Sequence, residues 1–302
     1  TRVTGLVWSD QGGGVYTAPM PAGVAVAEVA DDKTALRTVA GDDTVLTKIG
    51  TNAVAAAQWF YDTGSGVLTV KRADSSAPDA TLFVYAKWGS LRNLDLVTPG
   101  SRNYFKGIVF DGSGGGASGA LGAHAGPSAN RMLVMADACG FGYSTTNGLS
   151  VQGAVDLILK DTWAAQNRDD HFNLHWYTGA YPAPRMIEIS CPGRAGGFAK
   201  DGSSNLDTAH DGSLLWALNG AGESDSTPLA FVSGAQAWIC GRTVSRASLG
   251  DAIAYGQPAM VMAGAASDAA ATIVVLDGVK IVGDGSIYDL YSAGPGSTIY
   301  YN

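Results

Sequence analysis

Met132-Leu133-Val134-Met135-Ala136-Asp137 is a short apolar run closed by a carboxylate, and its reading decides the fold because the same grammar recurs along the chain. Gly107-Ile108-Val109-Phe110-Asp111 precedes it. Leu157-Ile158-Leu159-Lys160-Asp161, Met186-Ile187-Glu188-Ile189-Ser190, Leu214-Leu215-Trp216-Ala217-Leu218-Asn219 and Ala237-Trp238-Ile239-Cys240 follow it. Aligned on their closing residues, positions 111, 137, 161, 190, 219 and 240 are separated by 26, 24, 29, 29 and 21. Spacings of about 20 to 50 residues mark a repeat architecture. A propeller blade needs about 40 residues and four strands, and a leucine-rich repeat needs a Leu-x-x-Leu-x-Leu consensus that this chain lacks. A parallel β-helix fits: each circuit sets one apolar strand above the last, and the closing Asp, Ser and Asn residues stack as a hydrogen-bonded ladder at a bend.

The composition agrees with an all-β chain. Of 302 residues, 41 are glycine and 46% are hydrophobic but only 15% are charged, which supplies turns and interior but little of the charged dress of surface helices. A net charge of −8 excludes the basic footprint of a nucleic-acid binder. No long apolar run predicts membrane insertion, and Thr1-Arg2-Val3-Thr4 has no signal-peptide layout. Opening without Met, the chain reads as a processed or excised piece. Cys139, Cys191 and Cys240 are far apart without Cys-x-x-Cys spacing, so they read as small buried hydrophobes, not a disulfide framework.

Outward from the repeats, residues 1–102 form a β-rich entry region and residues 103–302 the β-helix. In the entry region Gln58-Trp59-Phe60-Tyr61-Asp62, Gly64-Ser65-Gly66 and Val67-Leu68-Thr69-Val70-Lys71 predict a hairpin, followed by a strand over 79–86. Gly112-Ser113-Gly114-Gly115-Gly116 reads as a loop out of a circuit, because no Gly-Lys-Ser/Thr follows to make a phosphate loop. The chain ends on the strand Ser297-Thr298-Ile299-Tyr300-Tyr301-Asn302. That open edge predicts a partner chain, as in a homotrimer.

Chemistry concentrates in residues 167–175 and 208–212, which hold His171, His175 and His210 among several carboxylates. Adjacent circuits lie about 4.8 Å apart, a spacing that can flank a glycosidic bond with two carboxyls. Asp161, Asp169, Asp170 and Asp211 are the candidates, with Asp161 better read as a ladder residue. Asp169-Asp170-His171 is either an acid/base pair or a solvated turn. Strand alternation turns Phe172, Leu174 and Trp176 inward and His171, Asn173 and His175 outward. The candidate catalytic patch is Asp170, His175, His210 and Asp211 on neighbouring circuits.

Arg168 and Arg194, with Arg185 and Lys200, are the cations a lyase would use on a uronate. Tyr177, with Tyr181 and Trp163, offers aromatic faces for sugar. Arg168, His171, Asn173, Tyr177 and Arg194 are therefore the candidate substrate contacts. His171 and His175 lie about 13 Å apart on a strand, too far to share an ion, and neither metal nor cofactor is expected. His124, isolated among Gly and Ala, reads as a loop residue.

The chain resembles the pectate-lyase-like right-handed parallel β-helix proteins of phage tail spikes and tail fibres. Residues 58–62 and 66–70 are similar to the group's W-x-Y-D … G-x-L-x-V hairpin, and Asp170-His171-Phe172-Asn173-Leu174-His175 to its D-G-F-N-Y-H circuit. Asn205 through Gly212 is similar to N … S-T-x-H-D-G, with Asp207 where the group has Ser. The resemblance implies a virion protein, assembled as a homotrimer and in contact with other tail proteins, that recognises a host cell-surface polysaccharide. It covers enzymes and adhesins alike, so a polysaccharide depolymerase (glycoside hydrolase or lyase) and a secreted bacterial enzyme or adhesin stand as alternatives.

Overall fold

A computed structural model of the chain describes residues 2–32, 43–87, 94–113, 119–126, 130–144, 146–165, 167, 169–175, 182–196, 206–224, 227–246, 259–282 and 288–302. These residues hold strands and no helix, as the composition predicts. No helix among them is long and apolar enough to cross a membrane.

Two mainly antiparallel sheets come first. One orders Arg2–Val3, Leu82–Lys87, Ala25–Asp32 and Asp43–Val45, and the other Ser9–Asp10, Tyr16–Pro19, Val67–Lys71, Gln58–Asp62 and Thr47–Lys48. The predicted hairpin is present: Gln58–Asp62 pairs antiparallel with Val67–Lys71, closing on Asp62 opposite Val67. Asp62 fixes the turn by accepting from Gly64 N at 2.9 Å and Ser65 Oγ at 2.7 Å, and Gly66 takes the left-handed conformation at φ +69. Trp59, wholly buried, centres this region's core and donates Nε1–H to Leu46 O at 3.0 Å.

From Leu94–Leu96 onward the chain visits three parallel sheets in turn, and each sheet grows by the strand three places further along. The first runs from Leu94–Leu96 to Tyr288–Ser292 and the second from Arg102–Lys106 to Thr298–Tyr301, with eight strands each. The third runs from Val109–Ser113 to Lys280–Val282 with seven. This all-β parallel arrangement is compatible with a β-helix. Side chains from all three sheets, such as Leu149, Phe172, Leu157, Ile239, Phe141 and Val244, form one continuous core.

The repeat is real and its register is sharper than the apolar runs suggest. Met132–Asp137, Val155–Lys160, Arg185–Ile189, Leu214–Leu218 and Gln236–Cys240 are neighbours in the second sheet. Gly107-Ile108-Val109-Phe110-Asp111 is misassigned by the spacing, since Val109–Ser113 belongs to the third sheet and Lys106 is the residue beside Asp137. The bend after each second-sheet strand is a column of left-handed residues: Gly107, Ala138, Asp161, Ser190, Asn219, Gly241 and Gly278, with φ between 49° and 63°. Backbone bonds tie the column together, as in Asp161 N to Ile189 O at 2.9 Å and Ser190 N to Leu218 O at 2.8 Å. The expected ladder therefore exists at 161, 190 and 219, but backbone groups make it.

Corner residues after that column turn inward: Cys139, Thr162, Cys191 and Arg242 are buried. The three cysteines are free thiols, and burial pushes Cys191 up to about 12. Arg242 crosses the interior to Glu188 of the second sheet and Asp207 of the first, and none of the three side chains is exposed.

Candidate functional site

Phe172–His175 lies in the first sheet between Leu149–Gly153 and Asp207–Ala209. Leu174 pairs with Ala209, and His210 N donates to Leu174 O at 3.0 Å, so His210 follows directly beside His175. Their rings stack with centroids 4.4 Å apart and planes 15° apart. The chain then reverses through a tight turn whose central residues, Asp211 and Gly212, have φ of 56° and 75°, a conformation Asp-Gly adopts readily. Ser213 braces it from both groups, N to His210 O at 3.0 Å and Oγ to His210 O at 2.5 Å. The turn holds the Asp211 carboxylate 3.8 Å from His175 Nδ1.

The electrostatics favour neutral groups. Burial, helped by His175, holds His210 down to about 3, so its imidazole is uncharged near neutrality. Burial raises Asp211; His175 opposes that rise and Asp268 adds to it. Asp268 itself accepts from Ser233 N and Ala265 N, both at 2.8 Å, and so secures the adjoining turns. His124 extends the polar row. It lies in the strand Leu121–Ala125, not in a loop, and pairs through Gln152 with His175. Its Nδ1 sits 3.7 Å from Asp95.

Of the four candidate catalytic residues, three converge and Asp170 does not. Asp170 lies two residues before Phe172, and the strand from Phe172 to His175 alone puts about 10 Å of extended chain between the strand's two ends. The Asp170 carboxylate is buried and accepts from Asn173 Nδ2 at 2.5 Å. His171 is likewise no outward residue: it is wholly buried, its ring packs where a Cβ on Gly193 would stand, and Asn167 Nδ2 donates to its Nδ1 at 2.9 Å. Asn173 is only 4% exposed.

The backbone of Arg194 lies in the third-sheet strand Gly193–Gly196, and its side chain is outside the described part. Arg168, Trp176, Tyr177, Tyr181, Lys200 and residues 114–116 lie outside the described residues, while Gly112 and Ser113, expected in a loop, end the third-sheet strand Val109–Ser113. Arg185 clamps Asp156 through Nε at 2.6 Å and Nη2 at 2.8 Å on the second sheet. Trp163 lays its ring over Gly140 of the preceding circuit. Among the described residues no group of three or more His, Cys, Asp and Glu is arranged to hold a metal ion.

Compared with known proteins, the chain matches no family model, no curated protein and no solved structure. Two stacked imidazoles, of which His210 is uncharged near neutrality, beside a half-buried carboxylate offer hydrogen-bond donors and acceptors suited to hydroxyl groups. Sequence reasoning missed Glu188, hidden in an apolar run, and Arg242. The only signal was a charge at a position whose neighbours one circuit away are Leu159 and Ala217.

Proposed function

We propose that this chain is a single right-handed parallel β-helix of the tail-spike or tail-fibre kind, carried on a virion as a homotrimer and recognising a host cell-surface polysaccharide. The right-handed sense follows from the general preference of parallel crossovers, and the glycan role from the resemblance. One observation carries the binding reading: His175, His210 and Asp211 form a partly exposed, hydroxyl-matched patch. A depolymerase is the second reading, favoured by the raised Asp211 beside His175. Against it, the Asp170 carboxylate is spent on Asn173 and that of Asp268 on backbone amides.

The experiment is titration of the full chain with capsular or lipopolysaccharide glycans, alongside assays for new reducing ends and for unsaturated uronate absorbance. Saturable binding that weakens at least about tenfold in His175→Ala and Asp211→Ala, about 1.4 kcal/mol, supports the reading. Unchanged binding in both variants overturns the site. Product release that disappears in Asp211→Ala replaces binding with depolymerisation.

A further inference from the structure

We infer that the outward face of the second parallel sheet is a subunit interface, on which a second copy of this chain lies with its strands stacked in the same direction. It rests on the oligomeric part of the reading above and is independent of glycan recognition.

The face carries an unbroken apolar row along its middle. In register, its middle row runs from Tyr104 through Met135, Ile187, Trp216 and Trp238 to Tyr300. Trp216 and Trp238 remain 44% and 47% exposed, and Tyr104 and Tyr300 about 60%. The fold does not require this, because the row containing His124, Gln152, His175 and His210 on the first sheet is polar. Eight rungs span about 34 Å and five residues of strand about 13 Å, about 440 Å² in projection, and a contiguous apolar patch of this size marks an interaction surface.

Three features select a second copy as the occupant. The strip repeats every ~4.8 Å over eight rungs, a periodicity another copy of the same stack reproduces side chain for side chain. A groove of about 640 Å³ bounded by Arg185, Ile187, Trp216, Trp238 and Val275 receives projecting side chains. The Trp216 and Trp238 rings stack at 5.7 Å and 19°, so each covers a face of the other that a sugar would need.

The margins set the direction. On one side Arg131 and Arg185 hold Asp156, on the other Lys106 holds Asp137, all in the first four rungs. Further along, the margins are Leu214, Gln236 and Ile273 on one side and Leu218, Cys240 and Asp277 on the other. Same-direction packing sets charged rungs against charged and apolar against apolar. Opposite packing would bury the Asp156 and Arg185 rungs of each copy against the other's Gln236–Cys240 and Leu214–Leu218 rungs, at a desolvation cost.

The test is sedimentation equilibrium of the full chain at micromolar concentration. The expected mass is a multiple of 30.9 kDa, falling to the single-chain mass in Trp216→Lys/Trp238→Lys with an unchanged circular dichroism spectrum. Tyr288→Lys, on the first sheet, keeps the assembly and controls for added charge. Where the double variant does not fold, Met135→Lys replaces it. In a Cys240→Ser background, Tyr104→Cys forms an inter-chain disulfide with itself and not with Tyr300→Cys. A wild-type monomer, a strip variant that stays assembled, or a Tyr104→Cys to Tyr300→Cys crosslink overturns the proposal. Loss of glycan binding with assembly intact counts against the glycan reading alone.

Discussion

Arg242 Nη2 donates to Glu188 Oε2 at 2.7 Å in the interior of the parallel stack, and both side chains are wholly buried. Nη1 holds Asp207, Nη2 also reaches Cys191 O at 3.2 Å, and Nε reaches Asn219 O at 3.3 Å. The three charged groups come from the second sheet, the first sheet and the corner into the third, on three successive circuits, so the cluster ties those circuits together across the interior. Burial drives the Glu188 and Asp207 carboxyls upward, the Arg242 guanidinium opposes both shifts, and the Glu188 charge adds to the rise of Asp207.

Arg242→Met leaves two buried carboxyls without their cation. Removing one partner of a buried ion pair costs about 3–5 kcal/mol, so the midpoint of urea unfolding should fall steeply. The triple variant Arg242→Met/Glu188→Leu/Asp207→Leu removes every charge and should recover most of that loss. Equal midpoints for the single variant and wild type would show that the cluster contributes nothing.

Because Asp207 is held well above its ordinary 3.8, the native state binds a proton that the unfolded state releases. Its contribution is complete below 3.8 and is lost as pH rises through its raised value. Urea unfolding measured over that range should show stability declining with pH. Asp207→Asn, which cannot ionise, should flatten this component.

His210 acts in the opposite sense. With its imidazole held down from 6.5 to about 3, its neutral form contributes stability above 6.5 that is lost as pH falls toward 3. Histidine ring NMR should show His210 unprotonated through the neutral range, titrating only as pH approaches 3. A midpoint near the ordinary value would mean that the stacked pair is open to water.

The left-handed column predicts opposite effects at two exposed positions. Ala138, at φ 51, has neither glycine's freedom nor a polar side chain to ease the strain. Left-handed backbone costs an L-residue about 1–2 kcal/mol, so Ala138→Gly should raise stability by roughly 0.5–1 kcal/mol after the entropy glycine adds to the unfolded chain. Asp161→Val, at φ 49, should lower it by about 1–2 kcal/mol. Glycan binding in Asp161→Val should match wild type, as expected of a ladder residue; a selective loss of binding would return Asp161 to the site.

Several of these features were legible in the chain itself. The run Met132 to Asp137 and its successors point to an all-β parallel stack, because strands about five residues long recurring every 20 to 30 residues bury their apolar side chains by stacking on one another. Asp62-Thr63-Gly64-Ser65-Gly66 specifies the hairpin turn by local hydrogen bonding, which needs no long-range partner. His175 beside His210-Asp211 was also within reach, since alternation along one strand and one circuit of offset place the groups.

Tertiary structure alone decided the rest. Alternation along the strand says nothing of what covers the outer face of Asn173, nor that the bend before Phe172 turns His171 inward over Gly193, a glycine twenty-two residues further on. Phe110 and Asp111 look like members of the second-sheet column, yet only strand pairing reveals that Lys106 fills that place. Glu188, Asp207 and Arg242 carry no local mark of their association, because burial and charge pairing join residues 54 and 35 positions apart. Strand period and turns are written in the chain, because they depend on backbone conformation and near neighbours. Which polar groups end inside the stack, and which apolar row is left outside it, depended on the register of the three sheets, a property of the assembled circuits and of no single one.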